Sequence, residues 1–222
     1  RLAANEGARS FTYESTRERT PLGHAHREQI RDFSIEQVRA MYQQAITRLL
    51  NEVSETEQFF RAGIVAIDIT EDDPFTGDRT GREDEIIGTK EKSDEYAYQW
   101  ATVQLVGNAV PVVLDARPVR KGESRLEIVK DLLDSAEEMV HVDNVLMDRE
   151  FDSQHVLEML SQRGLSYVVP KRMQTSEKAQ AKRLLQRDQD RYETDRKLHL
   201  GKNEWHETTL IYRRKEDSEH DD

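Results

Sequence analysis

Apolar residues recur along this chain with two different periods. From Ser34 onward, Ile35, Val38, Met41, Tyr42, Ala45, Leu49 and Val53 keep to one face of a helix, which predicts a helix through about residue 54. Ser34 followed by Gln37 three positions later supplies a capping-box start. From Ala62 the period shortens to that of strands. Residues 63–70 (GIVAIDIT) are β-branched and apolar, and residues 71–95 read as a long acidic loop. Two longer strands are predicted at 96–106 and 109–119, joined by Gly107 and Asn108 as a two-residue hairpin turn that requires positive φ.

Helical spacing returns at 124–138, where Leu126, Val129, Leu132, Leu133 and Ala136 share a face. Residues 142–147 then form an apolar strand that ends at Asp148. A helix at 153–163 follows, with Val156, Leu157 and Leu160 turned inward and Gly164 as its stop, and residues 165–169 make a fifth strand. The predicted order is β-β-β-α-β-α-β, an α/β domain with a mixed sheet led by a hairpin. Residues 171–196 read as a charged helix with a thin apolar stripe (Ala181, Leu184, Leu185), and 198–214 as a small β-hairpin around Gly201. The expected division is an N-terminal helical segment at 1–60, a core at 61–173, and a helix, hairpin insertion and acidic tail at 174–222.

Composition narrows the chemistry. A chain of 222 residues with 36% hydrophobic and 35% charged residues suits one sizeable core plus appended segments. No apolar run reaches membrane-spanning length and no signal-like segment opens the chain, so a cytoplasmic protein is expected. With Cys 0, disulfides and thiolate metal sites are excluded, and any metal must sit on oxygen or imidazole ligands. The net charge of −11 is unevenly spread: residues 61–170 carry −11, whereas residues 171–215 carry +6. A basic block inside an acidic protein keeps a phosphate-bearing partner open. The excess of Arg over Lys, 23 to 10, together with the acidity, resembles a salt-adapted composition in which global charge says little about partners.

Two aspartates stand out against this pattern. Asp68 interrupts the apolar run Val65-Ala66-Ile67 and Ile69, where a lone carboxylate costs several kcal/mol if buried without compensation. A strand-end Asp accepting backbone N–H groups is the plainer reading. Asp148 closes Val145-Leu146-Met147 where a strand meets its loop; taken alone it reads as a helix-capping or loop residue. Functional groups in open α/β sheets gather at the carboxyl ends of strands, and in this order the first and fourth strands lie side by side. The two carboxylates are then expected to face each other, an arrangement able to hold divalent ions that act on a phosphodiester.

The strings Ala66-Ile67-Asp68-Ile69-Thr70 and Val145-Leu146-Met147-Asp148-Arg149-Glu150-Phe151, with the turn at Gly107-Asn108 between them, resemble the insertion-sequence transposases with a DDE catalytic domain, particularly the haloarchaeal type. The resemblance spans roughly residues 60–215. It implies an RNase H-like fold, metal-dependent phosphodiester cleavage and strand transfer with Mg²⁺ or Mn²⁺, and Asp68 and Asp148 as the first two catalytic acids and metal ligands. It further implies double-stranded DNA partners, both element ends and target, and allows a homodimer. In that family the third acid is a Glu on a later helix, after a β-rich insertion, in a Tyr, Arg, Glu pattern. Tyr212, Lys215 and Glu219 imitate the spacing with Lys for Arg, but Glu219 lies in an acidic tail with no apolar face. The third acid is therefore expected beyond Asp222, in a chain cut at both ends. A remnant that binds element ends or full-length partners without cutting, and a different RNase H-like nuclease, are the alternatives.

Arg149, Lys171, Arg172, Lys182, Arg183 and Arg187 are the candidate DNA-backbone contacts. Interleaved acids (Asp188, Asp190, Glu193, Asp195) allow a merely solvated helix face instead. Trp205 and Tyr212 on the hairpin are as well explained by packing as by stacking on an unpaired base. His24, His26, His155 and His206 lack a supporting ligand set, and the acids at 71–78 lack the spacing of a calcium loop. Asp115 also breaks a strand, and a two-residue turn would place it opposite Trp100.

Overall fold

The computed structural model describes residues 28, 31–53, 62–89, 94–108, 110–171, 173–186, 191–199 and 205–213. The segment before residue 28, His24 and His26, Arg172, Arg187, the hairpin turn at Gly201 and the tail bearing Lys215 and Glu219 lie outside them. The chain divides into two compact units, Arg1–Glu52 and Val53–Asp222.

Helix α1 spans Ile35–Val53 and, but for its last residue, belongs to the first unit. Its capping box forms as expected: the Gln37 amide donates to Ser34 Oγ at 3.3 Å, and the Ser34 amide donates to Gln37 Oε1 at 2.8 Å.

The second unit is built on a six-stranded mixed sheet. Its strands are β1 (Ala62–Glu71), β2 (Ile86–Gly88), β3 (Tyr96–Val106), β4 (Val112–Pro118), β5 (His141–Met147) and β6 (Ser166–Val168). The order across the sheet is β2-β3-β1-β5-β6, and β4 shares an edge of β3 with β2. β1 runs antiparallel to β3 and parallel to β5, which is in turn parallel to β6. Helices α2 (Arg125–Glu137) and α3 (Gln154–Gln162) pack on one another; α2 lies against β3, β4 and β5, and α3 against β6.

Strand alternation explains which side these helices cover. Val65, Ile67 and Ile69 of β1 pair in register with Leu105, Val103 and Ala101 of β3, and all six are buried. Ile128, Val129, Leu132, Leu133 and Ala136 of α2 and Val156, Leu157 and Leu160 of α3 are buried with them; of the positions expected from periodicity only Leu126 is half-buried, and Ile128 is added. Each such Val, Leu or Ile side chain contributes about 1.5–3 kcal/mol on burial. Ser124 caps α2 by accepting the Leu126 amide at 3.2 Å, and Gly164, at φ 74°, ends α3 in the left-handed conformation that glycine adopts without steric cost.

Three expectations are corrected. Residues 71–95 are not wholly loop, because Ile86–Gly88 pairs with β3 and Ile86 is buried. The β3–β4 connection is longer than two residues: Leu105 pairs with Val112, and Pro111, which lacks the amide proton a ladder needs, lies outside the strand. A bulge at Val103/Gln104 shifts the register further, so Asp115 faces Val103 and Pro118 faces Trp100. The charged helix is confined to α4 (Thr175–Leu185), since Arg191–His199 is strand β7, paired along its length with β8 (Trp205–Arg213). Alternation of Tyr192, Thr194, Arg196 and Leu198 carries that strand, and the high charge of its other positions masked the period. No helix among the described residues is long and apolar enough to cross a membrane.

Candidate functional site

The parallel ladder between β1 and β5 ends at the pair Ile67 and Met147, both buried beneath the helices. The next residue in each strand direction is Asp68 and Asp148. Alternation turns both to the other side of the sheet, where both are exposed. The structure thus sets the two aspartates side by side just past the last pair of the β1–β5 ladder, Asp148 at the end of β5 and Asp68 within β1, which continues to Glu71 along β3. It also revises the reason for singling out Asp68: this carboxylate is not buried in an apolar strand. Only every second residue of β1 enters the core, and Asp68 belongs to the outward set with Ala66 and Thr70.

Asp148 caps the 3₁₀ turn Arg149–Phe151, its Oδ1 accepting the Arg149 amide at 2.6 Å, so the capping role is real. Thr70 Oγ1 makes only a long 3.5 Å approach to Asp68 Oδ2. Among the described residues no cation pairs with either carboxylate. Two hard oxygen ligands of this kind suit a divalent ion that fills the rest of its shell from water and phosphate. No described group of three or more acidic or imidazole side chains is placed to enclose a metal.

The loop after Asp148 is held from three directions. Glu150 accepts a salt bridge from Arg125 at the start of α2, at 2.9 Å. Phe151 is fully buried. Asp152 receives Lys171 Nζ at 3.0 Å and Arg196 of β7 at 3.3 Å, with all three side chains largely out of water. Asp148 and Arg149, between these anchors and β5, are left facing solvent on a fixed backbone, the support that a binding constellation requires.

The predicted basic surface separates into two parts. Lys171 is mostly buried and neutralised by Asp152, with Glu177 at 3.8 Å, so it anchors the loop from inside. Lys182 and Arg183, in the last turn of α4, are exposed. Arg149 is also exposed, directly after Asp148.

The hairpin β7–β8 docks on α3 and β6 through a polar cluster. Tyr167 donates to Thr208 Oγ1 at 2.7 Å and lies 2.8 Å from His206 Nε2, which also approaches Ser161 at 3.5 Å. His206 therefore has a structural role. A cleft of about 570 Å³ beside this cluster is lined by Asp152, Tyr167, Lys171, Arg196 and strand β8. His155 is exposed, and Trp205 lies exposed beneath Lys197 Nζ, 5.4 Å from the ring centroid.

Sequence reasoning missed Trp100, which pairs with Thr70 on the aspartate side of the sheet and is 38% exposed. Its parity on β3 was visible; the β1–β3 register that sets it beside Asp68 was not. Asp152, four residues after Asp148, was missed as well, because its partners come from residues 171 and 196.

No protein family and no curated protein matches this chain. Among solved structures it is similar to the piggyBac transposase in a synaptic complex with hairpin DNA, with a TM-score of 0.38 and 14% identity over 59% of this chain. This chain spans 28% of that chain's length. A likeness of that size assigns no residue a role.

Proposed function

We propose that this chain is the core of a DDE-type transposase with an RNase H-like fold, acting on the phosphodiester backbone at the ends of an insertion sequence. The observation that carries the proposal is the placement of Asp68 and Asp148 side by side just beyond the last pair of the parallel β1–β5 ladder, on the side of the sheet away from the helices. The resemblance of the strings around both residues to insertion-sequence transposases supports the same reading.

In this reading Asp68 and Asp148 hold the divalent ion, Mg²⁺ or Mn²⁺. Bound there, such an ion would activate a water or 3′-hydroxyl and stabilise the leaving oxygen. Arg149 meets the phosphate from the loop, and Lys182 and Arg183 contact the backbone farther along. The anchors Glu150, Phe151 and Asp152 keep the Asp148 carboxylate in place without a loop rearrangement. Two carboxylates without a described third favour one second reading, a chain that binds element ends or full-length partners without cutting them.

A Mn²⁺-dependent nicking assay on element ends and on scrambled duplexes tests these readings. Cleavage confined to element ends, and lost in Asp68→Asn and Asp148→Asn, is the expected result. Equal cutting of both substrates would replace the transposase by a general RNase H-like nuclease. Retained binding without cutting would establish the second reading.

A further inference from the structure

We propose that Trp100 is a stacking platform for an unpaired base of the strand whose phosphate lies at Asp68 and Asp148. This deepens the nucleic-acid reading above and rests on it. In the antiparallel ladder Asp68 faces Thr102 and Thr70 faces Trp100, so the indole is the diagonal cross-strand neighbour of Asp68. Side chains so related stand about 7–8 Å apart at Cα, within reach of an aromatic ring. The residues flanking Trp100 along β3, Gln99 and Ala101, are buried on the helix side, and alternation sends Trp100 outward at 38% exposure.

The indole is also held. Its Nε1–H donates to Asp72 Oδ2 at 3.0 Å, and the Asp72 amide donates to Tyr98 O at 2.9 Å, so the acceptor is tied to β3 itself. A large apolar ring whose only polar atom is satisfied, partly open to water beside Asp68 and Asp72, offers surface suited to a flat apolar partner. A nucleobase is such a partner, and stacking tolerates any base because each has a π-face. The bases of a duplex are stacked on one another, so the platform favours single-stranded or locally unpaired substrate. Asp68, Asp72 and Asp148 repel phosphate, so engagement requires a divalent cation between them and the strand.

The chain has two tryptophans, so Trp205→Phe makes Trp100 the sole source of indole emission. In that background, oligothymidylate and its duplex with the complementary strand are titrated in Mg²⁺, with indole emission and the anisotropy of an end-labelled strand followed together. Saturable emission change with the single strand, smaller with the duplex and abolished by chelation, is expected. Trp100→Ala should weaken single-strand binding roughly tenfold, the scale of one lost base stack, while Trp100→Phe retains most of it. Thermal melts of both variants separate this loss from misfolding, and the Phe variant keeps the test open if the Ala variant fails to fold. An anisotropy rise with unchanged emission, or equal affinity in Trp100→Ala, overturns the stacking role and leaves the nucleic-acid reading standing. Absence of binding to either DNA form overturns both.

Discussion

The two sides of the central sheet are built from the same strands, residue by residue in alternation, yet they differ in nearly every physical respect. On the helix side, Val65, Ile67 and Ile69, with their partners on β3, are closed under α2 and α3. On the other side the same strands present Asp68, Thr70, Trp100 and Thr102, while Leu146 and Val168 remain 36% and 65% exposed. One side is held by close packing, where every removed methylene is felt. The other carries carboxylates and an indole whose positions are inherited from that packing. The packed core and the candidate site are thus separated by one step of strand parity.

Substitutions that respect this separation should sort by cost. Phe151→Ala removes the buried ring under the Asp148 loop and is expected to cost about 3–5 kcal/mol in urea unfolding. A loss below about 1 kcal/mol would show that the loop is not secured from below. Asp152→Ala leaves Lys171 and Arg196 facing each other with their shared acceptor gone, and about 3 kcal/mol should be lost. Salt added to the denaturation series checks that figure, since a well-shielded pair is little screened. Ser124→Ala deletes the cap of α2, with an expected cost of about 1 kcal/mol by thermal melt.

Crossing to the other side, Asp68→Asn and Asp148→Asn should change stability by less than about 0.5 kcal/mol while abolishing Mn²⁺ binding, read by the electron paramagnetic resonance of free Mn²⁺. A large stability loss from either would mean that the carboxylate serves the fold. The smallest effect belongs to the hairpin. Hydrogen bonding to Lys197 holds the Glu207 carboxyl below its ordinary range. Any contribution is then present above that range and fades as pH falls through the lowered value. Because the pair is exposed, Lys197→Met should leave the melting temperature unchanged at neutral pH.

How far the sequence reached differs from element to element. The α1 capping box, strand β3 from Tyr96 to Val106 and helix α2 were legible because their signals lie within a few residues: a hydroxyl three positions from an amide, strict alternation, or apolar residues at helical spacing. The hairpin between β3 and β4 was not, because Pro111 and the bulge at Gln104 change the pairing by steps that no single turn residue announces. Strand β7 was read as helix because its outward positions are almost all charged, which hid the alternation of the inward ones.

The candidate site divides the same way. From the sequence came one aspartate interrupting an apolar strand, another closing one, and the α/β order that makes their strands neighbours. Tertiary structure alone decided that Asp68 faces solvent rather than the core, that Trp100 stands diagonally beside it, and that Lys171 turns inward to Asp152. Local periodicity is written in adjacent residues and survives without the rest of the chain. Register, sheet side and ion-pair choice depend on which distant segments meet, and those contacts exist only in the folded protein.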